Sequence, residues 1–180
     1  MMETTKTKWG IDPVHSEIAF KVKHLMISNV KGTFKEFDAT VTTDGDDFST
    51  AQIGFSLKPA SIQTGNPDRD GHLQSADFFD VANFDLITFQ SNSLKNIDGE
   101  EFELTGKMTI KGVTRELKLE AEFGGIATDP WGNTKAGFTL NGKINRKDWG
   151  LTWNAALEAG GVLVGEEVKI SCEIQLVKQS

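Results

Sequence analysis

Residues 101–123 read EFELTGKMTIKGVTRELKLEAEF. Phe102, Leu104, Met108 and Ile110 alternate with charged or hydroxyl residues, and after Lys111-Gly112 the alternation resumes at Leu117, Leu119, Ala121 and Phe123. A period of two places one set of side chains on one face of an extended strand. A glycine-bearing pair between two such runs is a tight turn, which makes the strands antiparallel neighbours. The stretch is a hairpin with one apolar and one polar face, and it needs more sheet to cover the apolar one.

The same period extends through the chain. Ile18, Phe20 and Val22 alternate with Ala19, Lys21 and Lys23; Phe37, Ala39 and Val41 follow, then Ile53, Phe55 and Leu57, then Ile87 and Phe89. It closes with Ala136, Phe138, Leu140 and Ile144, and with Val168, Ile170, Cys172, Ile174 and Leu176. Turn signals separate the runs at Asp44-Gly45, Asp98-Gly99 and a longer Gly124–Gly132 loop containing Asp129-Pro130. About eight antiparallel strands with one apolar face each form either a two-layer sandwich or a closed barrel. The whole chain, 1–180, is expected to be one domain, with residues 1–8 a flexible N-terminus.

Two segments break the rhythm. In NPDRDGHLQSADFFDVANF (66–84), Asn66 suits a helix N-cap, Pro67 its first position, and Asp68 and Asp70 its N-terminal end. In DWGLTWNAALEAGG (148–161), Trp149, Trp153 and Leu157 recur every four residues before a Gly-Gly stop, which predicts a second short helix or turn. Both are expected to cover an end of the sheet structure.

Composition narrows the function. The hydrophobic fraction of 38% and charged fraction of 25% are those of a globular protein. The net charge of −7 is scattered, and the basic clusters are small: Lys21, Lys23 and His24, and Arg146 with Lys147. They read as a strand's polar face or a loop, so no nucleic-acid partner is expected. Neither a secretory leader nor a membrane-spanning run is legible, and the single Cys172 agrees with a reducing compartment. The expected location is the cytoplasm, or the periplasm if a leader has been removed, with no insertion into a membrane.

Reactive constellations are sparse. His15, His24 and His72 lack metal-site spacing, so no metal is expected. Asp12, His15 and Ser16 are the residue types of a hydrolase triad, but neighbours on a strand point to opposite faces and no nucleophile elbow surrounds the serine. No glycine-rich nucleotide motif occurs. The most polar short group is Arg69-Asp70-Gly71-His72, with Asp77 and Asp80 beyond; Arg69 either pairs with one of these carboxylates or, with His72, meets a ligand's polar head. Twelve Phe, four Trp and no Tyr make the aromatic surface almost wholly apolar. Gly106 and Gly142 fall on the apolar register, where they either bend the strand or leave room for a ligand; the second reading is the expectation taken forward.

An ordered series of residues resembles one family: Trp9, Asp12, His15-Ser16, Gly32-Thr33-Phe34, Ala60-Ser61-Ile62, Thr64-Gly65, Arg69-Asp70, Asp77-Phe78-Phe79-Asp80, Leu104-Thr105-Gly106, Gly112-Val113-Thr114, Arg146, Asp148-Trp149-Gly150 and Gly165-Glu166-Glu167-Val168. The chain resembles the YceI-like, or polyisoprenoid-binding, proteins nearly end to end. It departs from them at Phe84-Asp85-Leu86, where an aromatic-Pro pair is usual, and at Trp149, where Phe is commoner, a change expected to shorten the pocket.

The resemblance implies an all-β fold, an extended antiparallel eight-stranded lipocalin-like barrel with one or two short helices covering an end. It implies a long interior pocket for an isoprenoid chain or similar lipid, often a dimer, and no catalytic residue, metal or cofactor other than a bound lipid. The expected function is non-enzymatic storage or transport of a long-chain apolar small molecule, with a solidly packed interaction module or a lipid-modifying enzyme as alternatives. The pocket wall is then drawn from the inward register: Phe20, Val22, Phe37, Phe55, Leu57, Phe89, Leu104, Met108, Leu119, Phe123, Phe138, Leu140, Ile170 and Leu176, with Trp153 near an end and Arg69 and His72 at the head group.

Overall fold

A computed structural model describes residues 6–25, 27–154 and 164–179. Its strands are β1 (Lys6–Ile11), β2 (Glu17–His24), β3 (Ser28–Phe34), β4 (Phe37–Asp44), β5 (Asp47–Leu57), β6 (Ile62–Gln63), β7 (Ile87–Asp98), β8 (Glu101–Ile110), β9 (Val113–Thr128), β10 (Thr134–Asn145) and β11 (Val164–Lys178). Three of the long staves are interrupted: β1 and β2 lie end to end along one edge of β11, β3 and β4 run beside them, and β5 continues through the 3-10 turn Pro59–Ser61 into β6. With the breaks bridged, eight antiparallel staves follow one another in chain order and the first pairs with the last, at Trp9↔Lys178 and Phe20↔Ile170, closing the barrel.

The opening hairpin forms as its sequence dictates. Leu104 pairs with Leu119 and Phe102 with Ala121, and the turn takes positive φ at both Lys111 and Gly112, the backbone region whose turn matches the right-handed twist of the two strands. Along each stave alternate side chains are buried inside the barrel, while the outer positions carry Lys, Glu and Thr. A polar exterior around an apolar interior is the reverse of a membrane-spanning barrel. No helix among the described residues is long and apolar enough to cross a bilayer.

Four readings need correction. Residues 6–8, expected in a flexible tail, belong to β1, because Thr7 and Trp9 are inward and the strand is held by β4 and β11. The Gly124–Gly132 segment is not all loop: β9 runs on to Thr128, absorbing Gly125 at φ 105° and an irregularity opposite Gly137 and Phe138, so the turn shrinks to 129–133. The short helix or turn expected over 148–161 is a 3-10 turn placed earlier, Arg146–Trp149, stopped at Gly150 in the left-handed region, and 151–154 have no regular structure. The remainder of that call, 155–161 with Leu157, lies outside the described residues. The other helix, α1 (Pro67–Gln74), forms with Asn66 accepting from the N–H groups of Asp68 and Arg69.

The fourth correction concerns glycine. A Cβ on Gly106 would overlap the Phe89 ring and the Gln90 carbonyl, and one on Gly142 would overlap Leu119 Cδ2. These positions do not leave volume for a ligand. Each lets a neighbouring side chain lie flat across its strand, as Phe20 does over Gly32.

Candidate functional site

The barrel's two ends differ. At the end that holds the 44–47, 98–101 and 128–134 turns, Trp9, Phe48, Phe102, Phe123 and Phe138 interlock with centroid separations of 4.9–6.4 Å. Trp9 donates its indole N–H to Thr43 Oγ1 at 3.0 Å, and Thr43 donates to the Gly45 carbonyl, so the polar atoms buried with the rings are bonded. This end is plugged.

The other end is covered by two irregular segments. Residues 66–86, containing α1, meet 146–154 where Trp153 packs on His72 and Phe78 at 4.7 and 5.3 Å. Arg146, buried, fixes the second segment by donating to four carbonyls: Leu151 (2.6 Å), Gly165 (2.8 Å), Trp153 (2.9 Å) and Val164 (3.3 Å). Burial lowers the Arg146 pKa, and Glu166 opposes the shift. Trp149 donates to the Met108 carbonyl at 2.9 Å and lies outside the cavity wall, so it seats the segment on β8.

Between these ends is a cavity of about 210 Å³ whose wall exposes no polar surface. Of the expected wall, Phe20, Phe55, Leu57, Phe89, Leu104, Met108, Leu119, Phe138, Leu140, Ile170 and Leu176 line it. Val22, Phe37, Phe123 and Trp153 do not. Val22 lies between Val30 and Val168, beyond the cavity; Phe37 stacks on Phe55 at 6.5 Å; Phe123 belongs to the plug; and Trp153 is in the cover. Sequence reasoning missed Ile11, Phe34, Phe48 and Leu94, which sit where alternation is short or broken, and Cys172 and Ile174, whose alternation was visible. Burial pushes the Cys172 thiol up to about 12, so it stays protonated in the wall.

The polar candidates are occupied structurally. Arg69 donates to Thr64 Oγ1 (2.8 Å) and the Thr64 carbonyl (2.7 Å), pinning α1 to the end of β6 through a threonine and not through a carboxylate. His72 bonds Asp77 at 2.9 Å. Neither lines the cavity, so the geometry does not bring them to a ligand's buried portion. In the triad-like group, His15 bonds Asp12 at 2.8 Å, but Ser16 Oγ accepts from the N–H of Gln175 and donates to its carbonyl, mending the ladder at the β1–β2 break. Among the described residues no group of three His, Cys, Asp or Glu is placed to hold a metal ion.

A closed, polar-coated barrel with an interior lined only by apolar side chains defines a lipocalin-like architecture. The YceI-like domain model matches residues 9–176, and the chain belongs to that family. A UPF0312 protein of Staphylococcus epidermidis is 42% identical over 170 residues, covering 94% of this chain and 96% of that one. The crystal structure of the Campylobacter jejuni YceI protein is 35% identical with TM-score 0.74, covering the whole of both chains. A polyisoprenoid-binding domain from Saccharophagus degradans shares the fold at TM-score 0.70 and 11% identity, covering 95% of this chain and 98% of that one.

Proposed function

We propose that this chain binds a long apolar, isoprenoid-type molecule inside the barrel, holding or carrying it without chemical change. The observation that carries the reading is the cavity wall, apolar throughout and continuous from the aromatic plug to the covered end. The polyisoprenoid-binding domain of the same fold and the family membership support it. A binding protein fits better than an enzyme, because among the described residues the one titratable side chain in the wall, Cys172, is held protonated by burial.

Size refines the cargo. An apolar cavity of about 150 Å³ accepts one benzene, so 210 Å³ has room for roughly eight carbons, close to two isoprene units. At about 0.8 kcal/mol per carbon this is roughly 7 kcal/mol, a dissociation constant near 10 µM before ordering costs. Tight retention of a longer quinone tail or polyprenyl phosphate therefore requires the rest of the chain to leave through the covered end, parting Trp153 from His72 and Phe78. The head group then lies outside, near α1.

Protein purified from its own source, extracted with organic solvent and analysed by mass spectrometry, should yield a stoichiometric apolar lipid. The stripped protein should take up added polyprenyl compounds, more tightly as the chain lengthens beyond ten carbons. No extractable lipid together with no uptake would sink the reading and leave a packed interaction module in its place.

A further inference from the structure

The outer face of the β2–β3 hairpin carries a charge pattern that the cavity does not explain. Lys31 stands directly opposite Lys21, Lys21 opposite Lys169, and Lys169 opposite Lys143, one lysine on each of β3, β2, β11 and β10. At the ordinary strand spacing the row spans roughly 14 Å. Like charges placed directly across strands are destabilising. The row on one side is neutral, formed by Thr33, Ala19, Ser171 and Asn141. Among the described residues Lys21, Lys23, Lys31, Lys143 and Lys169 have no carboxylate partner, which is true of Lys8, Lys35, Lys58, Lys95, Lys107 and Lys111 as well, but in this row alone lysines stand directly opposite one another. Of the two acids beside the row on β11, Glu166 is held by Lys147 at 2.7 Å, and Glu167 stands opposite Asn145, two residues from Lys169 on the same face.

The tip of the same hairpin is apolar. Ile27 is 84% exposed and Leu25 is 37% exposed, with Leu25 held at φ 55°, a backbone region costly for a leucine. An exposed apolar tip with Lys23 and then the Lys21–Lys31 row behind it along the strands matches an anionic bilayer surface, the lysines meeting headgroups while the aliphatic tip enters the interface. Trp131, at the plugged end, is 83% exposed too, but the lysines at that end are paired with carboxylates, Lys6 with Asp44, Lys178 with Asp46 and Lys135 with Asp12 and Asp129. Among the described residues no lysine there stands directly opposite another. The acidic segment over the covered end, with Asp68, Asp70, Asp77, Asp80 and Asp85, restricts contact to the hairpin and the faces of β11 and β10 beside it.

We propose that the β2–β3 hairpin, with Lys169 and Lys143 beside it, docks the barrel on bilayers containing anionic phospholipid. The docking needs no cargo, so it stands or falls apart from the lipid-binding reading.

The test uses the full chain stripped of lipid and sedimented with vesicles of phosphatidylcholine, alone or mixed with phosphatidylglycerol. Binding is expected only to the mixed vesicles and should fall steeply with salt. Each lysine near an anionic surface contributes roughly a fivefold increase in partitioning, so changing Lys21, Lys31, Lys143 and Lys169 together to Gln should lower it by at least two orders of magnitude. Ile27→Ser should lower it roughly tenfold, and Trp131→Ser should leave it unchanged. Lys31, Lys143, Lys169, Ile27 and Trp131 are exposed and Lys21 is half-buried on the outer face, so far-ultraviolet circular dichroism should be unaltered in every variant. Equal binding to both vesicle types, full binding by the quadruple variant, or loss of binding in Trp131→Ser would each overturn the proposal.

Discussion

Ala121→Phe separates a ligand cavity from a packed core more cleanly than any other single change. Ala121 is buried on β9, lies between Leu140 and Phe102 on the neighbouring strands, and forms part of the cavity wall. The substitution adds a benzene-sized group, which by itself occupies about 150 Å³ of such a void. At about 24 cal/mol per Å³ of cavity removed, the lipid-free protein gains at most about 3.6 kcal/mol, less any strain. For a domain of this size that is an upward shift in Tm of up to roughly 10 °C. The ring displaces about six ligand carbons, so at about 0.8 kcal/mol each the affinity for a polyprenyl compound should drop by three to four powers of ten. Thermal melts and a lipid titration on the stripped variant measure both. A stable variant that binds within tenfold of the parent would place the ligand elsewhere, and a variant destabilised by more than about 1 kcal/mol would show that the space does not admit a ring.

Other substitutions test the supports of the site. Gly142→Ala should cost about 1–3 kcal/mol in urea unfolding, because its Cβ meets Leu119, and Leu119→Ala in the same chain should relieve part of that cost, giving less than additive effects. Arg146→Met removes the guanidinium donor from the buried Leu151 and Gly165 carbonyls and the half-buried Trp153 carbonyl, while Val164 keeps Asn154; the expected loss is about 3 kcal/mol, and the amides of 151–154 should lose hydrogen-exchange protection before the barrel does. Burial raises the Asp12 carboxyl, but the hydrogen bonds from Lys135 and His15 and the Lys135 charge outweigh it and bring the pKa to about 2. Its stabilising effect is therefore complete above about pH 4 and lost as the pH falls toward 2, so Asp12→Asn should flatten the acid limb of a stability-versus-pH curve over that window. Cys172, with its thiol at about 12, should resist a thiol reagent at neutral pH in the native protein and react at once in denaturant.

Much of this architecture is legible in residues with an uninterrupted period of two. Strands β8 and β9, with the Lys111-Gly112 turn, follow directly from alternation, and α1 from Asn66-Pro67. β1 and β3 are not legible in the same way. β3 sets Gly32 on the inner face, and β1 is a short run whose inward residues include Thr7, so neither shows a full apolar stripe. Gly124-Gly125 resembles a loop because a strand that absorbs an irregularity has no distinct composition. For the site, alternation identifies which face is inward but not how far along the axis a side chain sits. That is why Phe123 and Phe138, on adjoining strands and with equal claims in sequence, both join the plug while Phe138 alone also reaches the cavity wall. The glycines mislead for a related reason. The room left by a missing Cβ is taken by Phe89 or Leu119 from the next strand, a relation set by cross-strand register that one strand's sequence cannot reveal.

The pairing of β1 with β11 also fixes how the chain must fold. Every other stave meets its neighbour through a connection in sequence, so those contacts form at low entropic cost and early. The seam at Trp9↔Lys178 joins segments from opposite ends of the chain, the largest sequence separation in the molecule. Refolding should therefore show fast assembly of an open, curved sheet, in which Trp9 already meets Thr43 and Phe48 from the adjoining staves, followed by a slow closing step in which Lys178 comes over the Trp9 ring, so indole fluorescence should change in both phases.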